Sequence, residues 1–328
     1  MSRLAAFGLG AALVALFLAS LLVGPAEAGP LASLRAFLFG GEGPLTLVMR
    51  EIRLPRALLG AMVGASLGLS GAALQGYLRN PLAEPGLVGV SGGAALGAVI
   101  SLQTGFALAF PLALPAAALA GALCAVLLIL VLAGARGGAL TLILAGVAIS
   151  ALAAALVSLV LNLSPNPFAA SEIVFWMMGS LADRSFAHVA VAAPFMALGV
   201  ALLLPLRRGL DALTLGEDAA ASLGVRLARL RMMLVLGVAS LVGAATAVAG
   251  AVGFVGLVAP HLVRPLVGSR PGALLPAAAM AGAALTLAAD VAVRVVAPER
   301  DLKLGVMMAL VGAPFFLHLV WRQRGAGA

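Results

Sequence analysis

Gly250-Ala251-Val252-Gly253-Phe254-Val255-Gly256-Leu257-Val258-Ala259-Pro260-His261-Leu262-Val263-Arg264 is almost wholly apolar, is broken by three glycines and a proline, and closes on a histidine and an arginine. It reads as a membrane helix shaped for close packing that stops at a basic face. The rest of the chain agrees. Of 328 residues, 63% are hydrophobic and 10% charged, whereas a soluble domain is about half apolar and about a quarter charged. Apolar surface in such excess needs lipid as its solvent. The formal charge of +8 comes from 19 arginines and one lysine. In a soluble protein that charge would suggest nucleic acid. Here the arginines fall between apolar runs and aromatics are only 5%, so the charge marks loop sides and no nucleic-acid partner is expected. Cys124 is the only cysteine, which excludes an internal disulfide and a cysteine-rich metal site.

A helix needs about twenty apolar residues to cross a bilayer. Runs of that kind lie near 4–24, 57–78, 86–103, 107–133, 138–162, 186–206, 230–250, 252–267, 273–293 and 304–321. The expected fold class is therefore an all-α integral membrane protein of about ten transmembrane helices. The first run resembles a signal peptide, with Arg3 before it and Ala26-Glu27-Ala28 after it. Leu4 to Val23 exceeds a usual signal h-region, so it is read as a retained span.

With ten spans, Arg3, Arg79, Arg136, Arg207, Arg208, Arg226, Arg229, Arg231, Arg264, Arg270, Arg322 and Arg324 share a side with both termini. Arg35, Arg50, Arg53, Arg56, Arg184, Arg294, Arg300 and Lys303 take the other side. The bias puts both termini in the cytoplasm. Arg53-Leu54-Pro55-Arg56 and Arg226-Leu227-Ala228-Arg229 each open a Gly/Ala-rich span. An odd number of spans separates them, so the two copies point in opposite directions, as in the inverted five-helix repeats of transporters.

Gly60, Gly64 and Gly68, and again Gly89, Gly93 and Gly97, recur every four residues and give helix faces on which backbones can approach. No Walker A sequence is present: the single lysine, Lys303, lies between Leu302 and Leu304. Any ATPase must be another chain. His188, His261 and His318 form no metal-binding spacing and no nucleophile–base pair stands out, so no catalytic, cofactor or metal site is assigned. Asp290 and Arg294 are one turn apart near a span end and can pair. Arg53, Arg56 and Arg294 form either interfacial anchors or a cationic rim for acidic side chains of an outer partner. Leu215-Gly216-Glu217-Asp218-Ala219 to Leu223-Gly224 reads as a short helix with acids in its first turn and a glycine C-cap. It is either a solvated loop or a partner-docking segment. Ser158 and Asn162, one turn apart, either line a polar path or bond between helices.

Several motifs together resemble the permease subunits that import iron-siderophores, haem and vitamin B12, the FecCD type. They are Arg53-Leu54-Pro55-Arg56, Ser70-Gly71, Gln75, the run Arg79 to Gly86, Leu144 to Val147 and Phe175 to Leu181 in the first half. In the second half they are Leu215-Gly216, Leu223 to Val225, Gly253 to Leu257, Pro260-His261, Arg264, Asp290, Arg294 and Gly312 to Phe315.

The resemblance implies one permease domain over 1–328, with repeat halves of about 1–180 and 181–328 and a cytoplasmic coupling segment near 209–227. It implies a homodimer in a bacterial inner membrane, two ATP-binding-cassette ATPase subunits that carry ATP and Mg, and a periplasmic substrate-binding protein. On this resemblance Leu215, Gly216, Glu217, Asp218, Ala219, Leu223 and Gly224 belong to the coupling helix, and Arg53, Arg56 and Arg294 receive the binding protein. Many relatives carry Glu-Leu-Pro before the last span's glycine. Here Asp301-Leu302-Lys303 stands in its place, which changes the charge at the outer mouth. An ion-coupled secondary transporter would share the inverted repeats but needs an intramembrane acid relay. Asp290 beside Arg294 weighs against one. A scaffold without transport is disfavoured by the ordered motifs. The cargo is not coded in the motifs.

Overall fold

A chain with so much apolar surface must satisfy its own backbone in lipid. Among the described residues it does so with helices and without strands. The computed structural model describes residues 3–24, 29–41, 43–134, 138–164, 167–296 and 302–326. Ala26-Glu27-Ala28, Arg136, Arg300 and Asp301 lie outside these residues.

The order is α1 (Arg3–Leu22), α2 (Pro30–Phe39) and α3 (Pro44–Leu47), which runs through a π-helical turn (Val48–Arg53) into α4 (Leu54–Leu78). Then follow α5 (Val90–Gln103), α6 (Ala113–Ala133), α7 (Ala139–Asn162), α8 (Pro167–Met177) and α9 (Phe186–Leu203), which continues into α10 (Arg207–Leu213). The last five are α11 (Glu217–Ser222), α12 (Leu227–Ala249), α13 (Val255–Val263) with a tighter extension to Val267, α14 (Pro271–Val296) and α15 (Leu304–Ala326).

Seven helices among the described residues are long and apolar enough to cross a membrane: Leu4–Leu22, Pro44–Leu78, Ala113–Ala133, Ala139–Asn162, Phe186–Leu213, Leu227–Ala249 and Pro271–Val296. The other three expected spans coincide with shorter apolar helices, Val90–Gln103, Val255–Val267 and Leu304–Leu319. Shortness has a physical reason in α5 and α13. The first packs on α6 and α7, the second on α4 and α14, so the irregular backbone leading into each meets protein rather than lipid. The stretch 250–254 is accordingly not helical. Gly250 and Phe254 take left-handed φ values of +73° and +67°, and α13 begins three residues later than the expected span at 252. Helices α2 and α8 were not expected; each opens with a proline, Pro30 or Pro167, which suits the first helical position.

Helices α4, α12 and α14 are mostly buried, while α1, α6, α7 and α9 turn most of their surface outward. The expected glycine faces set this arrangement. A Cβ on Gly64 would run into the Gly282 carbonyl, and one on Gly68 into that of Ala278, so α4 and α14 touch backbone to backbone. Gly71 meets the Gly256 carbonyl of α13 in the same way, and Gly93 and Gly97 face Gly121 and Ala117 of α6. Such contacts replace the hydrophobic drive that lipid cannot supply.

Gly64→Val is expected to lower the unfolding midpoint of the detergent-purified chain sharply, with an overpacking cost of about 3 kcal/mol. Gly8→Val, at a site with nothing within 4 Å of the added Cβ, is expected to change it little. Equal midpoints for the two variants would contradict the backbone-contact reading.

Candidate functional site

Helix α14 joins two polar clusters, one at each end of the core. At its C-terminal end, Asp290 is 1% exposed. Arg294, one turn on, pairs with it at 2.8 Å, as the spacing predicts. Arg56, from the first turn of α4, pairs from the other side at 2.8 Å, and its Nε donates to both carboxylate oxygens at 3.0 and 3.2 Å. Arg294 also donates from Nη1 to the carbonyls of Ser20 and Val23 at 2.8 and 2.6 Å, and from Nη2 to Ser20 Oγ at 2.8 Å. Arg53 Nη1 donates to the carbonyls of Leu21 and Leu22 at 3.1 and 3.0 Å. These carbonyls belong to the last turn of α1 and its exit, which lack partners within the helix. A cation is favoured there by the helix dipole as well.

Of the two readings the sequence leaves open for these arginines, anchoring or a cationic rim, this geometry displays the anchoring one. Arg53 is 4% exposed, the Arg294 side chain 6% and the Arg56 side chain 19%. They turn inward because a buried aspartate needs its countercharge and the end of α1 needs donors. Arg56 alone of the three keeps an appreciable edge to the outside.

At the other end, Gln75 near the end of α4 bridges three segments. Its Nε2 donates to the carbonyls of Ala83 and Gly256 at 3.3 and 3.4 Å. Its Oε1 accepts from Arg264 Nη2 at 2.6 Å. Glu84 Oε1 accepts the Phe254 N–H at 2.6 Å, which fixes the left-handed residue that starts α13. Burial pushes the Glu84 carboxyl above its ordinary range, and the bond from Phe254 pulls it partly back. Glu84, Gln75 and Ser20 were not singled out as polar anchors from the sequence. A carboxylate and an amide flanking an apolar span were the available signal, since buried polar groups need partners.

The segment expected near 209–227 divides into α10 and α11. Gly216 (φ +104°) separates them, Glu217 and Asp218 form the first turn of α11, and Gly224 (φ +86°) closes it, as the sequence suggests. Ala220 is fully buried, while Leu215 and Leu223 on either side are 68% and 66% exposed. Asp211 Oδ1 accepts the Gly272 N–H at 2.7 Å and Arg207 Nε donates to the Gly272 carbonyl at 2.9 Å. These bonds tie α10 to the first turn of α14. Ser158 and Asn162 lie on the exposed side of α7, opposite a buried face that includes Leu142, Ala145, Ile149, Ala153 and Val157. Lys303 sits 5.4 Å from the centre of the Phe175 ring.

A model described as the FecCD transport family matches residues 12–322. The vitamin B12 import permease of Vibrio cholerae is 43% identical over 275 residues, covering 83% of this chain and 82% of that protein. The ferric enterobactin permease of Escherichia coli is 37% identical over 314 residues, covering 94% and 92%. A solved inward-facing structure, described as a metal-chelate type ABC transporter, matches with TM-score 0.85 at 34% identity, covering 96% of this chain and 98% of the other.

Asp290→Asn removes the one carboxylate shared by Arg56 and Arg294. The expected loss is about 3 kcal/mol, because Arg294 stays buried without a countercharge while Arg56 can turn outward. Thermal unfolding in detergent measures it; an unchanged midpoint would contradict the structural role of the cluster.

Proposed function

The chain belongs to the FecCD transport family, and on that premise we propose that it is the membrane permease subunit of an ATP-binding-cassette importer for a ferric siderophore, haem or cobalamin. The observation that carries this reading is the likeness, over 83% and 94% of the chain, to permeases named for vitamin B12 and ferric enterobactin, with two candidate contact sites at opposite ends of one helical core in its support. We propose that the chain forms a homodimer in a bacterial inner membrane with both termini cytoplasmic. Two separate ATPase subunits hold ATP and Mg, and a periplasmic binding protein delivers the cargo. In favour of halves 1–180 and 181–328 as inverted repeats is the exchange of neighbours: α4 packs on α13 and α14, and α12 on α5 and α6.

On this reading, Leu215 and Leu223 are the apolar contacts that α11 offers to a groove on the ATPase. A push on α11 passes to α10, and from α10 through Asp211 and Arg207 to the start of α14. Helix α14 is fused to α4 by glycine contacts, so the two move as one rod rather than deforming. At its far end lie Asp290 and Arg294, where Arg56 faces the binding protein and Arg53 and Arg294 hold α1. ATP binding by the partner would thereby shift the path from one side to the other, and each state must contact the ATPase differently for the shift to occur. Ser158 and Asn162 are proposed to line the path on the exposed side of α7. Asp290 is held by two arginines and so is not poised as a carrier of protons or ions, which disfavours an ion-coupled mechanism.

Two outcomes are expected in the complex reconstituted with its ATPase. Leu215→Glu combined with Leu223→Glu should abolish cargo-stimulated ATP hydrolysis while the permease still folds, since both side chains are exposed. Asp211→Ala should keep the ATPase bound but reduce the stimulation about tenfold, the effect of losing roughly 1.4 kcal/mol of coupling. Full stimulation in the double variant would sink the coupling assignment.

A further inference from the structure

A cavity of about 410 Å³ opens where α4 ends, α13 extends and α14 begins. Arg79, His261 and Arg264 line it together with Gln75, Thr214 and Ser269. No acid is among the described residues on its wall. The nearby carboxylates have other work: Asp211 accepts from Gly272 and Glu84 accepts from Phe254. Arg264 is anchored through Nη2 to Gln75, yet its buried Nε has no acceptor among the described residues. A buried donor left unmet is costly. Arg79 closes α4 in the left-handed conformation, φ +50°, and places a second exposed cation at the rim. The start of the 26-residue helix α14 adds the positive end of its dipole, met in part by Asp211.

The cavity is therefore cationic and larger than a bare phosphate requires. It also adjoins apolar surface. Leu262 and Leu266, on the segment that carries His261 and Arg264, are 51% and 45% exposed. A basic pocket between span ends beside exposed leucines matches a phosphate attached to acyl chains. We propose that this cavity is a binding site for a phosphate group, supplied by the headgroup of an anionic phospholipid. Its oxygens would meet the guanidinium groups of Arg79 and Arg264. Thr214 lines the same cavity one residue before Leu215, so a bound headgroup would brace the segment proposed to contact the ATPase. The binding itself does not depend on the cargo or on the ATPase.

The test is native mass spectrometry of the full-length chain in detergent, with phosphatidylglycerol or phosphatidylcholine added. A parallel arm offers inorganic phosphate alone and reads phosphorus NMR line broadening. The wild type and Arg270→Gln, an exposed arginine off the cavity wall, should retain phosphatidylglycerol in preference to phosphatidylcholine. Arg79→Gln and Arg264→Gln should each retain about fivefold less. Should Arg264→Gln fail to fold through its loss of the Gln75 bond, Arg79→Gln decides alone. Arginine-dependent broadening of inorganic phosphate without lipid retention would keep the oxyanion site and assign it to soluble phosphate. Equal phosphatidylglycerol retention by wild type and Arg79→Gln, with no arginine-dependent phosphate signal, overturns the proposal.

Discussion

The contact on which the rest depends is the backbone meeting of α4 and α14 at Gly64, Gly68 and Gly282. Lipid does not drive apolar helices together, so association must come from close packing and polar links. With no Cβ between them, two long helices approach at atomic contact. Gly71 against Gly256 extends the same contact to α13, although that helix alone is too short to span. The buried core α4–α12–α14 is the outcome, and the more exposed α6, α7 and α9 surround it.

A rigid core gives polar groups at its two ends a fixed relation. Asp290 costs free energy to bury and is tolerated because Arg56 and Arg294 meet it from two helices. Arg294, with Arg53, also terminates α1 by taking its last carbonyls. At the opposite end, Gln75 of α4 and the loop residue Glu84 fasten the start of α13, and Asp211 of α10 fastens the start of α14. Any outer partner that engages Arg56 addresses a group already bonded to the buried end of α14. Any inner partner that engages α11 addresses a segment bonded to its beginning.

The helical class and the positions of the long spans were legible in the sequence because a run of about twenty apolar residues has few other uses. The glycine faces were legible because a spacing of four places them on one side of a helix. The pair Asp290–Arg294 followed from one helical turn, and the end of α11 from Gly224. Less legible was everything set by tertiary context. The non-helical stretch 250–254 is composed like a helix, and its contacts are with residues far away in sequence, such as Glu84 at the Phe254 N–H and Gly179 against Gly250. The inward turn of the arginines could not be read either, because Arg53 and Arg294 bond to backbone carbonyls of α1, which carry no signature in the sequence, and Arg56 to Asp290, which is far away in sequence. Helices α2 and α8 were hidden by being too short for a span and lacking a polar face.

The claim at the centre is that the chain carries a chelated metal or corrinoid across a membrane at the expense of a partner's ATP. The most direct measurement is uptake of radiolabelled ferric siderophore, haem and cobalamin, compared side by side in cells with and without this chain while the ATPase and binding-protein genes are expressed. The account predicts loss of uptake for one of these cargo classes when the chain is removed, restored by the chain and not by a complex with an inactive ATPase. Unchanged uptake of all three would contradict it.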